Sequence, residues 1–145
     1  MSVPTPCIGL CSTTFGDLVC RGCKRYIHEI VGWNGFTDAQ KRIVVLRLDQ
    51  LRIEAVRAHA AVTDAARLAQ VAMSLRLPAD QPVELRAFEV LRRTAHRWRT
   101  MEEIGCRANV AGTDPVTARN LMDEEFLGRA HAHYEHDFRV LLSGQ

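Results

Sequence analysis

Four cysteines fall close together near the start of this 145-residue chain: Cys7, Cys11, Cys20 and Cys23. No other feature narrows the possible folds as much. The spacing C-x3-C-x8-C-x2-C makes two close pairs, which a turn in the longer gap would fold face to face. Thiolate sulfurs bind Zn²⁺ tetrahedrally at about 2.3 Å, and four of them also hold iron–sulfur clusters. In a reducing compartment such a cluster argues for metal rather than disulfides. A redox dithiol at Cys20 and Cys23 is the rival, but a thioredoxin-like site wants a βαβ context, and none is visible. Cys20-Arg21-Gly22-Cys23 resembles a metal knuckle, in which Gly22 lets backbone N–H groups turn toward sulfur. Four thiolates on Zn²⁺ or on an oxidised four-iron cluster leave a net charge of about −2. Arg21, Lys24 and Arg25 can offset that charge, and a helix after Cys23 points its positive end at the site. His28 is a possible donor to a sulfur or a substitute ligand. With four cysteines already available, its expected place is the surface.

Composition excludes several classes. Hydrophobic residues make up 47% and charged residues 25%, which is too apolar for a disordered chain. No apolar run approaches the ~18 residues of a membrane span. Residues 1–6 show neither a basic nor an apolar leader pattern, so the expected location is the cytoplasm. The net charge of +2 is too mild to argue for nucleic acid.

The rest of the chain reads as helical. Phe15-Gly16-Asp17 suggests a tiny hairpin in the cysteine segment. A short helix follows Cys23, with Tyr26, Ile27, Ile30 and Val31 on one face and Gly32 at its end. Thr37 and Gln40 form a capping box for a helix over about 38–61. Thr63-Asp64 opens a second helix to about 76, and Pro78 and Pro82 mark a connection. A third helix is expected over about 82–104, with Phe88, Leu91, Ala95, Trp98 and Met101 inward and Gly105 at its end. Gly112-Thr113-Asp114-Pro115 starts the last helix. That helix runs to about 142, with Met122, Phe126, Ala130, Tyr134, Phe138 and Leu141 inward. The expected fold is therefore mostly α. A four-cysteine metal module (residues 1–35: hairpin, knuckle and short helix) precedes an all-α body of about four helices (residues 36–145) and forms one compact unit with it.

Other residues carry weaker signals. His131, His133 and His136 read as a solvated helix face, or as a second metal site. The run Arg92 to Arg99 reads as a solvated or partner-facing helix, or as phosphate contacts. Trp33 and Trp98 are expected as packing anchors or partner contacts. Cys106, alone, reads as a free thiol rather than a nucleophile. No nucleotide-binding, zinc-protease or nucleophile-elbow motif is present.

Residues 5–50, reading T-P-C-I-G-L-C-S-T-T-F-G-D-L-V-C-R-G-C-K-R and then E-I-V-G-W, resemble the bacterial domain-of-unknown-function family 1289. All four cysteines fit its pattern, as do Pro6, Gly9, Gly22, Glu29, Ile30 and Trp33. The tail, with E-E-F-L-G-R-A-H-A-H-Y-E, resembles longer proteobacterial members. The resemblance implies a cysteine-ligated site, predicted in that family to be iron–sulfur, and brings no enzymatic activity with it.

The expected function is a non-enzymatic metal-binding or adaptor protein. It would hold an iron–sulfur cluster or a zinc ion through Cys7, Cys11, Cys20 and Cys23 and meet a protein partner through its helical body. An iron–sulfur redox or cluster-transfer protein is the alternative. A nucleic-acid module, with Arg21, Lys24, Arg25 and residues 92–99 on phosphates, comes third.

Overall fold

Capping chemistry sets most of the helix boundaries. The computed structural model describes residues 3–9 and 11–143, with side chains through 137. The fold is mostly α: helices α1 (Ile27–Gly32), α2 (Asp38–His59), α3 (Ala65–Ser74), α4 (Val83–Thr94) and α5 (Pro115–Ser143). Two short strands, β1 (Ala60–Val62) and β2 (Cys106–Ala108), pair antiparallel with Val62 opposite Cys106 and Ala60 opposite Ala108. No helix among the described residues is long and apolar enough to cross a membrane. The chain divides into two compact units, residues 1–51 with 126–145, and residues 52–125.

In the first unit, the Thr37 hydroxyl accepts from Gln40 N at 3.1 Å and the Gln40 side chain accepts from Thr37 N at 2.8 Å. This reciprocal box satisfies two otherwise orphaned donors and starts α2. The buried stripe of α2 here is Val44, Leu48 and Leu51. α1 is six residues, too short to persist on propensity alone. Its Glu29 carboxylate accepts from Tyr26 N at 2.9 Å and grips Arg47 through two bonds of 2.6 and 2.7 Å. The expected apolar face of α1 is corrected at Val31, which is 81% exposed. Tyr26 is buried as expected and Ile27 and Ile30 are half-buried, while Glu29 and Trp33 take the remaining inward positions, because the Glu29–Arg47 pair sets the helix's rotation. On α5, Phe126 and Ala130 are buried and Tyr134 meets Tyr26 edge-on at 5.1 Å. The side chains of Phe138 and Leu141, expected inward, lie outside the described residues.

In the second unit, α2 stops at His59 rather than near residue 61 because Asn109 takes its last carbonyls. Asn109 Nδ2 donates to Arg57 O at 3.3 Å and Ala58 O at 3.0 Å, and Asn109 N donates to His59 O at 2.9 Å. The chain then continues as β1. Asp64 caps α3 by accepting from Arg67 N at 3.0 Å, and Asp114 caps α5 by accepting from Thr117 N at 2.8 Å. The helix expected over 82–104 ends at Thr94 instead. The Thr94 hydroxyl donates to Val90 O at 2.7 Å and accepts from Trp98 Nε1 at 2.9 Å, so the chain turns to seat the indole. Short 3₁₀ turns at Ala95–Arg97 and Met101–Ile104 complete the segment. Phe88, Leu91, Ala95 and Met101 are buried as expected, while Trp98 is half-buried beneath the Arg67 guanidinium.

Gly105 joins these pieces. Its φ is +79°, and its carbonyl accepts from both Thr63 N and Asp64 N at 3.0 Å. A Cβ there would stand 2.3 Å from Asp64 O. Gly105→Ala is therefore expected to destabilise the 52–125 unit by at least about 2 kcal/mol in urea unfolding; an unchanged midpoint would contradict this geometry. Glu29→Gln, which leaves Arg47 half-buried without its anion, is expected to cost about 2 kcal/mol in the other unit, read as a lowered midpoint of Trp33 fluorescence.

Candidate metal centre

The segment around the cysteines is built from one turn and one bridge. Ser12–Phe15 form a 3₁₀ turn that Gly16 ends at φ 96°. This corrects the expected hairpin about Phe15-Gly16-Asp17: the left-handed glycine closes a helical turn by donating to Thr13 O at 3.1 Å, instead of reversing two strands. The reversal comes later. Val19 and Tyr26 form an antiparallel bridge, Ile27 N donates to Leu18 O at 2.8 Å, and Cys20 N donates to Arg25 O at 2.9 Å. Cys20 and Cys23 sit on the tight loop between. Its left-handed position falls on Lys24, φ 63°, a conformation few side chains adopt without strain.

Cys20 and Cys23 are each 1% exposed. Burial raises the Cys20 thiol, but backbone N–H groups of Cys23, Ser12 and Gly22 and the Cys23 side chain outweigh it, bringing it down to about 7. Burial pushes the Cys23 thiol up, and Arg25 opposes that shift through a 3.2 Å bond from its Nε to Cys23 Sγ. Metal binding requires deprotonated sulfur, and donors aimed at sulfur favour that form. This half of the donor set fits a metal–thiolate pair.

Cys7 and Cys11 stand differently. Cys7 is exposed, its sulfur 3.4 Å from Gly9 N, and Cys11 is half-buried with its sulfur 3.0 Å from Thr13 Oγ1. Among the described residues no three His, Cys, Asp or Glu side chains gather as a ligand set. Ser12 nonetheless links the two cysteine segments. Its N–H reaches Cys20 and its hydroxyl accepts from Arg21 N at 2.8 Å. Sequence reasoning missed Ser12, and only its place directly after Cys11 hints at a turn-forming hydroxyl.

The residues expected around the sulfurs separate. Arg25 and Lys24 are 4% and 2% exposed. Lys24 Nζ donates to Gly22 O at 3.1 Å and also to Arg21 O, and lies 5.1 Å from the Phe126 ring centroid. The Arg21 side chain is exposed and pairs with Asp17 at 3.6 Å. Gly22 is buried in the loop, and His28 is exposed against Tyr26. Trp33 is buried between Arg25 and Lys41, whose charges lie 4.9 and 5.6 Å from its ring centroid. Trp98 belongs to the other unit, as does Cys106. Cys106 is 1% exposed and pushed up to about 11 by burial. His131, His133 and His136 are exposed on α5, with His136 Nδ1 3.5 Å from Asp137 Oδ1. In the basic run, Arg92 and Arg93 are both engaged by Glu89.

As pH rises, one thiol is expected to ionise with a midpoint of about 7, read in the presence of a chelator as ultraviolet thiolate absorbance that disappears in Cys20→Ser. A step that survives this substitution would assign it to another residue.

No curated protein and no solved structure matched the chain. A family model described as a protein of unknown function, DUF1289, matches residues 5–52. That stretch carries the cysteine turn, α1 and the Glu29–Arg47 pair, and over it the chain resembles the DUF1289 family.

Proposed function

We propose that this chain is a metal-binding protein whose N-terminal segment holds one centre through Cys7, Cys11, Cys20 and Cys23, and that it works as a binding or adaptor protein rather than as an enzyme. The observation that carries the reading is the Cys20–Cys23 loop, where three backbone N–H groups reach one sulfur and a buried guanidinium reaches the other. Donors aimed at a sulfur favour its thiolate, the form that binds a metal. Ser12 keeps the Cys11 end of the first pair beside this loop, and the left-handed Gly9 supplies a bend between Cys7 and Cys11. The reading requires the exposed Cys7 to approach the other three sulfurs.

The donor set suits a zinc ion or an iron–sulfur cluster. Either would contribute folding free energy to this segment. A reducing, cytoplasmic setting keeps the thiols available. The partner we favour is a protein meeting the helical part of the chain, where Ile43 and Leu46 lie exposed on α2. Nucleic acid is disfavoured, since Arg92 and Arg93 are already committed to Glu89.

Anaerobic purification followed by metal and acid-labile sulfide analysis, beside a visible spectrum, tests the reading. The expected result is one centre per chain, lost in Cys20→Ser. Brown protein with iron and sulfide makes it a cluster and turns attention to electron transfer or cluster delivery. Colourless protein with one zinc makes it structural. Full metal content in Cys20→Ser would sink the proposal, as would a wild-type chain that retains no metal.

A further inference from the structure

A guanidinium is charged at every physiological pH, and a charge taken out of water requires a counter-charge to be tolerated. Arg25 is 4% exposed. Its Nε donates to Cys23 Sγ at 3.2 Å, and its other contact is the face of Trp33. Among the described residues no carboxylate pairs with it. The buried carboxylate of the same segment, Glu29, is consumed by Arg47 and by Tyr26 N. Arg21, four residues earlier, shows the ordinary arrangement, an exposed side chain beside Asp17. The turn thus sends one arginine outward to a carboxylate and keeps another inside against a sulfur.

We infer that Arg25 is the built-in counter-ion of the metal–thiolate centre, a positioning residue that acts through Cys23. The inference rests on the four-cysteine reading and adds which cation serves it. Four thiolates give a bound centre net negative charge, and the Arg25 guanidinium already touches one of the four sulfurs. Lys24 has a different task. Its ammonium ties the carbonyls of Arg21 and Gly22 and so closes the loop. Stacking on Trp33 holds the Arg25 fork in place, so its charge reaches the sulfur without the flexibility of an exposed side chain.

Cobalt(II) alone, titrated into the full-length chain against a competing chelator, reads this directly through its thiolate absorption band. Arg25→Met and the gentler Arg25→Gln are expected to bind about 10–100-fold more weakly than wild type, and Arg25→Lys to recover most of the loss. Helical circular dichroism of the metal-free variants confirms that they fold; a purely structural role would lower their melting temperature and leave the affinity of the folded protein unchanged. Arg25→Gln within twofold of wild type, or Arg25→Lys as weak as Arg25→Met, overturns the assignment while leaving the four-cysteine centre standing. A wild-type chain that develops no thiolate band overturns the centre itself, and the assignment with it.

Discussion

The bidentate pair between Glu29 and Arg47 organises the cysteine-bearing unit. The carboxylate closes the first turn of a six-residue helix that would not persist alone, and ties it to α2. Arg47 also lies 4.0 Å from the Tyr26 ring centroid, and Tyr26 is one side of the bridge from which the Cys20–Cys23 loop springs. Burial works against the Arg47 charge, but Glu29 more than compensates and holds it firmly protonated. Pairs this deep gain little net energy over an apolar substitute. Their effect is geometric, since two parallel bonds admit one orientation of α1 on α2 and hence one exit for the loop.

Where a boundary depends on neighbours in the chain, the sequence was enough to find it. Thr37 with Gln40, Asp64, and Asp114 before Pro115 are local capping signals, and each starts a helix where expected. Two of the misses come from partners far apart in the chain, and a third from a tertiary demand on a nearby side chain. Asn109 stops α2 from about fifty positions away, and no local pattern announces that β1 will pair with β2. Strands of three residues are too short to show an alternation. Thr94 ends α4 because of an indole four residues ahead, in a stretch whose apolar spacing reads as unbroken helix.

The candidate site divides in the same way. Cysteine spacing identifies four thiols but not which backbone groups face them. Arg21, between the two cysteines of the second pair, and Arg25, just after it, carry the same side chain at similar distance in sequence. The reversal of the chain at Lys24 sends them to opposite environments, one exposed and one buried. Ser12 was invisible for the reason that its role needs both its hydroxyl and its N–H, each directed across the turn to residues 20 and 21.

The unit that holds the cysteines is assembled from both ends of the chain, residues 1–51 and 126–145, with a continuous unit between. Synthesis runs in one direction, so Cys7 through Cys23 leave the ribosome well before Phe126, whose ring underlies the Lys24 ammonium. At about 5–20 residues per second the delay is on the order of ten seconds. The intervening stretch can fold in that time from its own contacts, while the cysteine loop waits uncovered for its last wall. The arrival of α5 then sets Phe126 against Lys24 and completes the unit around the loop.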